Sequence, residues 1–294
     1  MRTGLISSLF GSAPAQRRGD AVTRILAGGG DTAPAGLAGD RLSLSPSLKN
    51  ARFSDSPELR AAMAGQPLRL GAKGEGMKAV QTALLDLGFG LPAGADGAFG
   101  AQTATALRNF QASQGLPRTG ELDAGTMRSL DEVSPAPGLK AWEDPNLSAK
   151  AFVAPETVKG KPSRGVAAID QHRFFLYDKQ GKLEKIYPIA SGKGENATDL
   201  GIKVVSGKLA DPSKVAKELW PESGGRAFGT RLVDLSWYDP ATGKATRSGE
   251  ELHGTFDRNS IGKDASHGCM RFFNEDIEEV YGRLKVGDVV VTRA

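Results

Sequence analysis

The hydrophobic period of this chain changes at a proline-containing stretch, SPAPGLKAWEDPN, that begins at Ser134. Upstream, from about Leu68, apolar residues recur at helical spacing; downstream they alternate or run in strand-length pieces. A segment with one period does not settle into the structure that needs the other. The chain is therefore two kinds of domain in series, helical and then β-rich. GAKGEGMKAVQTALLDLGF places Met77, Val80, Leu84 and Leu87 on one helical face, and Gly88 stops that helix. QTATALRNFQASQGL puts Ala104, Leu107 and Phe110 on one side of a second helix, and a third runs from about Asp123, its N-cap, to Leu130. Three such helices around one core make a small but viable unit.

After the switch, GVAAID, HRFFLYD and KLEKIYPIAS predict strands, with a hairpin turn at DKQGK, Asp178 to Lys182. Further strands are expected at Gly201 to Val205, Thr230 to Trp237 and Asp288 to Thr292, and one helix at Asn274 to Leu284. The expected fold class is α+β and multidomain. Residues 1–66 are rich in Gly, Ala, Ser and Asp and read as mostly disordered, with short helices near Ala21 to Leu26 and Ser56 to Met63. Residues 67–132 form the three-helix domain, 133–150 a linker and 151–294 the β-rich, β-sandwich-like domain. Met1 to Ala15 faintly resembles a secretory signal, but its apolar patch is broken by Ser7 and Ser8 and is weak for that role.

Charge excludes some functions. The formal net charge of +4 is spread without a Lys/Arg block, so nucleic acid is not an expected partner. No apolar run reaches the length of a membrane span, so no integral membrane segment is expected. There is one cysteine, Cys269, which rules out an internal disulfide and any multi-cysteine metal site.

That cysteine lies in SHGCMRF, residues 266–272. A thiol attacks as its thiolate and needs a nearby base or positive field. Two histidines qualify: His267, two positions upstream, and His253 in ELHGT, sixteen positions upstream. Gly254 and Gly268 would let the backbone approach a ligand, and the amides of Gly268 and Cys269 could aim at a developing oxyanion. Arg271 offers a fixed charge suited to a carboxylate, with Ser266 placed beside it as a substrate contact. A lone cysteine is more often a small buried hydrophobe than a catalyst; the two histidines and two glycines around it favour catalysis. His172, beside Phe174 and Phe175, reads as structural or exposed. Neither a metal nor a cofactor is expected.

These residues resemble the L,D-transpeptidase (YkuD-type) catalytic domain. The likeness rests on H-G-T at 253–255, I-G at 261–262, S-H-G-C-M-R at 266–271, F-x-N-E-D at 272–276 and Y-x-x-L-x-V-G-D-x-V at 281–290. The strand pair around RFFLYD and the SGKG at 191–194 fit as well, so the resemblance covers roughly residues 160–294. One departure is visible: family members often carry T-P-x-G where this chain reads TDLG, Thr198 to Gly201. LRLGAKGEGMKAVQTALLDLGF, ADGAFGAQTATALRNFQASQGL and TGELDAGTMRSL resemble a three-helix peptidoglycan-binding domain, whose contacts would lie around Asp96, Gly97 and Phe99 unless Phe99 is core.

The resemblance implies a cysteine acyltransferase of peptidoglycan stem peptides, acting in the periplasm or cell wall. Cys269 would be the nucleophile and His253 the general base, its ring oriented by the Gly254 carbonyl. His267 and the Gly268 and Cys269 amides would line the oxyanion site, and Arg271 would hold a substrate carboxylate. A thioester on Cys269 could then serve cross-linking, D-amino-acid exchange or L,D-carboxypeptidase activity. Two other readings stay open. One is an antibacterial effector using the same chemistry on a rival's wall, with secretion machinery and an immunity protein as partners. The other is a non-catalytic wall-anchoring protein, against which the full H…SHGC…R set argues.

Overall fold

The computed structural model describes residues 47–294. The signal-like stretch at Met1 to Ala15 and the helix expected at Ala21 to Leu26 lie outside the described residues. Among the described residues four helices come first: α1 Pro57–Met63, α2 Glu75–Asp86, α3 Ala101–Ser113 and α4 Ala124–Val133. Their starts follow ordinary capping chemistry. Ser56 caps α1 by accepting from the Leu59 N–H, and Asp123 Oδ1 caps α4 by accepting from the Thr126 N–H at 2.7 Å. Gly88 ends the α2 turn with φ of +82°, a conformation glycine adopts without strain. Met77, Val80, Leu84, Leu87, Leu107 and Phe110 are all buried, as the helical period requires.

Twelve strands follow: β1 Thr157–Val158, β2 Lys161–Pro162, β3 Gly165–Ala168, β4 Arg173–Tyr177, β5 Leu183–Pro188, β6 Ser191–Gly192, β7 Gly201–Leu209, β8 Leu232–Tyr238, β9 Ala245–Thr255, β10 Asp264–Ser266, β11 Met270–Phe273 and β12 Val289–Arg293. Helix α5, Ser213–Leu219, lies between β7 and β8, and α6, Asn274–Arg283, between β11 and β12. Eight strands form one sheet in the order β11-β9-β8-β7-β12-β3-β4-β5, while β1-β2 and β10-β6 are two-stranded pairs. The molecule is α+β and multidomain. No helix of the described residues is long and apolar enough to cross a membrane.

Two large cores run through it. One lies among the sheet strands and α6, with Phe174, Val233, Leu252, Phe272 and Ile277 at its centre. The other begins among the helices and continues without a break into the sheet, joining Leu84, Phe89 and Phe110 to Val166, Phe175, Tyr177 and Ile186. Arg173 closes this second core. It is 1% exposed, and its guanidinium lies over the rings of Phe89 and Phe175 at 4.3 and 4.8 Å. It donates to the carbonyls of Leu87 and Ala151 at 3.0 and 2.9 Å. Residues 47–56 also pack inward: Phe53 is fully buried, and Arg52 pairs with Asp86 at 2.8 Å.

Candidate active site

The site is built by β9 and β11, which run side by side and parallel. Their register sets Leu252 opposite Met270 and His253 opposite Arg271. Facing residues of a parallel pair project to the same side of the sheet, and alternate residues along a strand share that side. Glu251 and His253 on β9 therefore face the same way as Arg271, with Cys269 one residue ahead of β11. A pocket of about 520 Å³ opens there, lined by His253, Ser266, His267, Cys269 and Arg271, with Trp220, Phe228 and Phe256 as its aromatic wall. Five of the seven residues singled out from the sequence meet in one cavity. The other two, Gly254 and Gly268, are buried and do not line it.

His253 is 4% exposed, and its Nδ1 lies 2.7 Å from the Gly254 carbonyl oxygen. A carbonyl can only accept, so Nδ1 carries the proton and Nε2 presents a lone pair. Phe228 packs edge-on against the imidazole at 5.0 Å, and Trp220 packs against Phe228 at 5.3 Å. Burial first, and then the Arg271 charge, push the imidazole down to about 4; the Gly254 bond opposes this. His253 is thus neutral near pH 7.

The turn before Cys269 is tied down from inside. Ser266 Oγ donates to the Cys269 carbonyl at 2.5 Å and accepts from the Gly268 N–H at 3.2 Å. The Gly268 amide is therefore aimed at Ser266 rather than into the cavity, and Ser266 uses its hydroxyl within the turn. Gly268 adopts φ of +115°, which explains the glycine there. Gly254 is required for a different reason. A Cβ on it would lie 2.3 Å from Asn274 Oδ1 and 3.0 Å from Ile277 Cγ2 of α6. It is bare because a helix packs on it, not because a ligand approaches. His267 is exposed at the rim, and Arg271 Nε is buried without a partner.

Several residues that sequence reasoning did not single out belong here. Glu251 Oε2 lies 2.7 Å from Cys269 Sγ, so the resting thiol donates to a carboxylate. Burial, with the Glu251 charge next in size, pushes that thiol well above its ordinary range. Thr198 supports the turn by donating to the Gly268 carbonyl at 2.7 Å and accepting from the Gly192 N–H at 2.9 Å. The TDLG departure has a structural use. Asp199 occupies the position where the family pattern has proline, and its N–H donates to Glu250 Oε1 at 2.7 Å; a proline has no such donor. Glu250 is in turn ion-paired to Lys203, which is fully buried. For Glu250 and Glu251 the available signal was the polar pair itself, directly before LHGT; for Thr198 and Asp199 it was the TDLG departure.

His172 is buried, with Nδ1 3.2 Å from Asn109 Oδ1 on α3 and Nε2 3.1 Å from Asp264 Oδ1 on β10. Its role is structural: it joins the helical region to the segment leading into SHGC. In the helical region, Phe99 is core, at 2% exposed. Asp96 borders a hollow of about 160 Å³ with Gln102 and Gly94, and its Oδ1 accepts from Gln81 and from the Ala98 N–H.

The chain has likenesses among known proteins. Residues 162–292 match the family described as the L,D-transpeptidase catalytic domain (YkuD), and residues 73–130 match a family of candidate peptidoglycan-binding domains. A Bacillus subtilis (strain 168) protein named as a candidate L,D-transpeptidase, YqjB, is 29% identical over 110 residues, 37% of this chain and 60% of the relative. A Bacillus licheniformis protein named as a candidate L,D-transpeptidase, YkuD, is 29% identical over 126 residues, 43% of this chain and 61% of the relative. The chain thus spans about 60% of the length of these curated relatives. Among solved structures, an L,D-transpeptidase from Xylanimonas cellulosilytica aligns over 78% of this chain and 98% of its own, at 22% identity and a TM-score of 0.46. One from Mycobacterium tuberculosis aligns over 46% and 59%, at 23% identity and a TM-score of 0.34.

Proposed function

With an L,D-transpeptidase (YkuD-type) catalytic domain over residues 162–292 preceded by a peptidoglycan-binding domain over residues 73–130, we propose that the chain is a cysteine acyltransferase of peptidoglycan stem peptides. The observation that carries this reading is the His253 ring, fixed by the Gly254 carbonyl so that Nε2 is free to take a proton in the cavity that holds Cys269. In the first half-reaction, His253 Nε2 accepts the thiol proton and Cys269 Sγ attacks the carbonyl of the diaminopimelate residue. The C–N bond to the terminal D-alanine breaks, its amine takes the proton from His253, and a thioester remains on Cys269. The Cys269 amide and the His267 ring face the developing oxyanion, while Arg271 holds a substrate carboxylate.

In the second half-reaction an acceptor amine or water attacks the thioester carbonyl while His253 Nε2 takes its proton; the C–S bond breaks, and Cys269 leaves as the thiolate and regains that proton. An amine on a second stem gives a cross-link, a free D-amino acid gives exchange, and water gives carboxypeptidase activity. Both domains act on the same polymer, which assigns the protein to the cell wall or periplasm, where the helical domain raises the local concentration of substrate. The test is incubation with disaccharide-tetrapeptide fragments followed by mass spectrometry. Wild type is expected to release D-alanine and to form dimers, exchanged tetrapeptides or tripeptides. Cys269→Ala is expected to release none while still sedimenting with sacculi, and equal turnover by that variant would refute the mechanism.

A further inference from the structure

Glu251 stands two residues before His253, on the same face of β9. Carrying the β9–β11 register back by one residue sets Cys269 beside Glu251, and Sγ does lie 2.7 Å from Oε2. A thiol donates and a carboxylate accepts, so the proton on sulfur is directed at Glu251. Little nearby charge offsets that carboxylate. Asp234 on β8 faces Glu251 in register and Glu250 is its neighbour, both opposing its charge, while Arg247 of β9 favours it. Lys203 of β7 is committed to Glu250. On the cavity side stand neutral His253 and Arg271. Ionising the sulfur where it rests would set a second negative charge against the first in a half-buried place.

We propose that Glu251 holds the Cys269 nucleophile protonated and unreactive in the empty enzyme, and that activation requires the sulfur to leave Glu251 and hand its proton to His253 Nε2. The step balances: the S–H bond breaks, an Nε2–H bond forms, and the electron pair stays on sulfur. The carboxylate left behind repels the thiolate toward the cavity. The proposal rests on the reading of Cys269 as the nucleophile, and it agrees with the upward push on the thiol. The device would keep the chain's one cysteine from reacting with adventitious electrophiles between turnovers.

The test is the pH dependence of iodoacetamide alkylation, followed by intact mass. Cys269 is the only cysteine, so the site is unambiguous. Wild type, the same protein unfolded in urea, Glu251→Gln and Glu251→Ala are compared. Native wild type is expected to reach half-maximal alkylation at a higher pH than the urea-unfolded chain. Glu251→Gln keeps the size and an acceptor but removes the charge, and its midpoint is expected to fall by one unit or more. At pH 7.5 that is roughly a threefold faster reaction per unit, because a tenfold larger thiolate fraction is partly offset by weaker nucleophilicity. Glu251→Ala should shift in the same direction. A native wild-type midpoint at or below the unfolded one overturns the proposal without any variant. Folded variants with an unchanged midpoint overturn it too. The assay needs no wall substrate, so a failed transpeptidase reading would not be mistaken for a failure here.

Discussion

His253 packs between the Phe228 ring and the sheet, with Arg271 alongside, and both burial and that charge oppose a second proton on the imidazole. A neutral base therefore persists well below the usual histidine range. The acid limb of kcat/KM should fall near pH 4 to 5 rather than near 6.5, which a pH–rate profile measures directly. Stability carries the same signature with a definite sign. His253 binds its proton near 6.5 when unfolded and at about 4 when folded, so the unfolded chain gains protons first as the pH drops. This contribution is intact above pH 6.5 and is lost on acidification, by about 2 kcal/mol between pH 7.5 and 5. Urea melts should show that loss in wild type and a smaller one in His253→Gln. The thiol and the imidazole were legible in the sequence because the one cysteine stands in SHGCMRF and His253 lies sixteen positions upstream in ELHGT. Glu251 was not, because its contact with sulfur depends on the register between strands that lie far apart in the chain.

Among the elements, the three helices after residue 66 were legible because each buries one face at the helical period. Strands β3, β4, β5, β7, β8 and β12 were legible because they are apolar. β9 was not counted among the strands, since its first half, ATRSGE, is polar and mostly exposed; its hydrogen bonds to β8 hold it, not its composition. The short α5 had no periodic pattern long enough to register. Arg173 shows a further limit. On β4 it reads as an ordinary cation in an apolar run, yet its planar group satisfies two carbonyls outside the sheet while stacked between two rings. Both bonds come from Nη1, while Nη2 donates to Gln171 Oε1 at 2.6 Å; lysine has neither the second nitrogen nor the flat group that lies between the rings. Arg173→Lys should destabilise the protein by about 2–4 kcal/mol, measured as a lower urea midpoint with an unchanged slope.

At the scale of the whole molecule, the helical domain is not a loosely tethered module. It shares a continuous apolar core with β3, β4 and β5. Asn109 of α3 donates to the Gly262 carbonyl at 2.9 Å, and Gln102 donates to Asn259 at 3.2 Å, both in the segment that leads into SHGC. Deleting residues 73–130 should therefore fail to release an intact catalytic domain. The expected product has lost its near-UV circular dichroism and its cooperative melt, where a simple tether would leave both unchanged. The order of the sheet has a consequence for biosynthesis. β12, at residues 289–293, lies in the interior of the sheet, paired on one side with β7 and on the other with β3. Translation delivers its two neighbours long before it delivers β12, and until then a gap separates them. The sheet therefore cannot close before residues 289–293 have been made and delivered between β7 and β3, however early the other strands emerge.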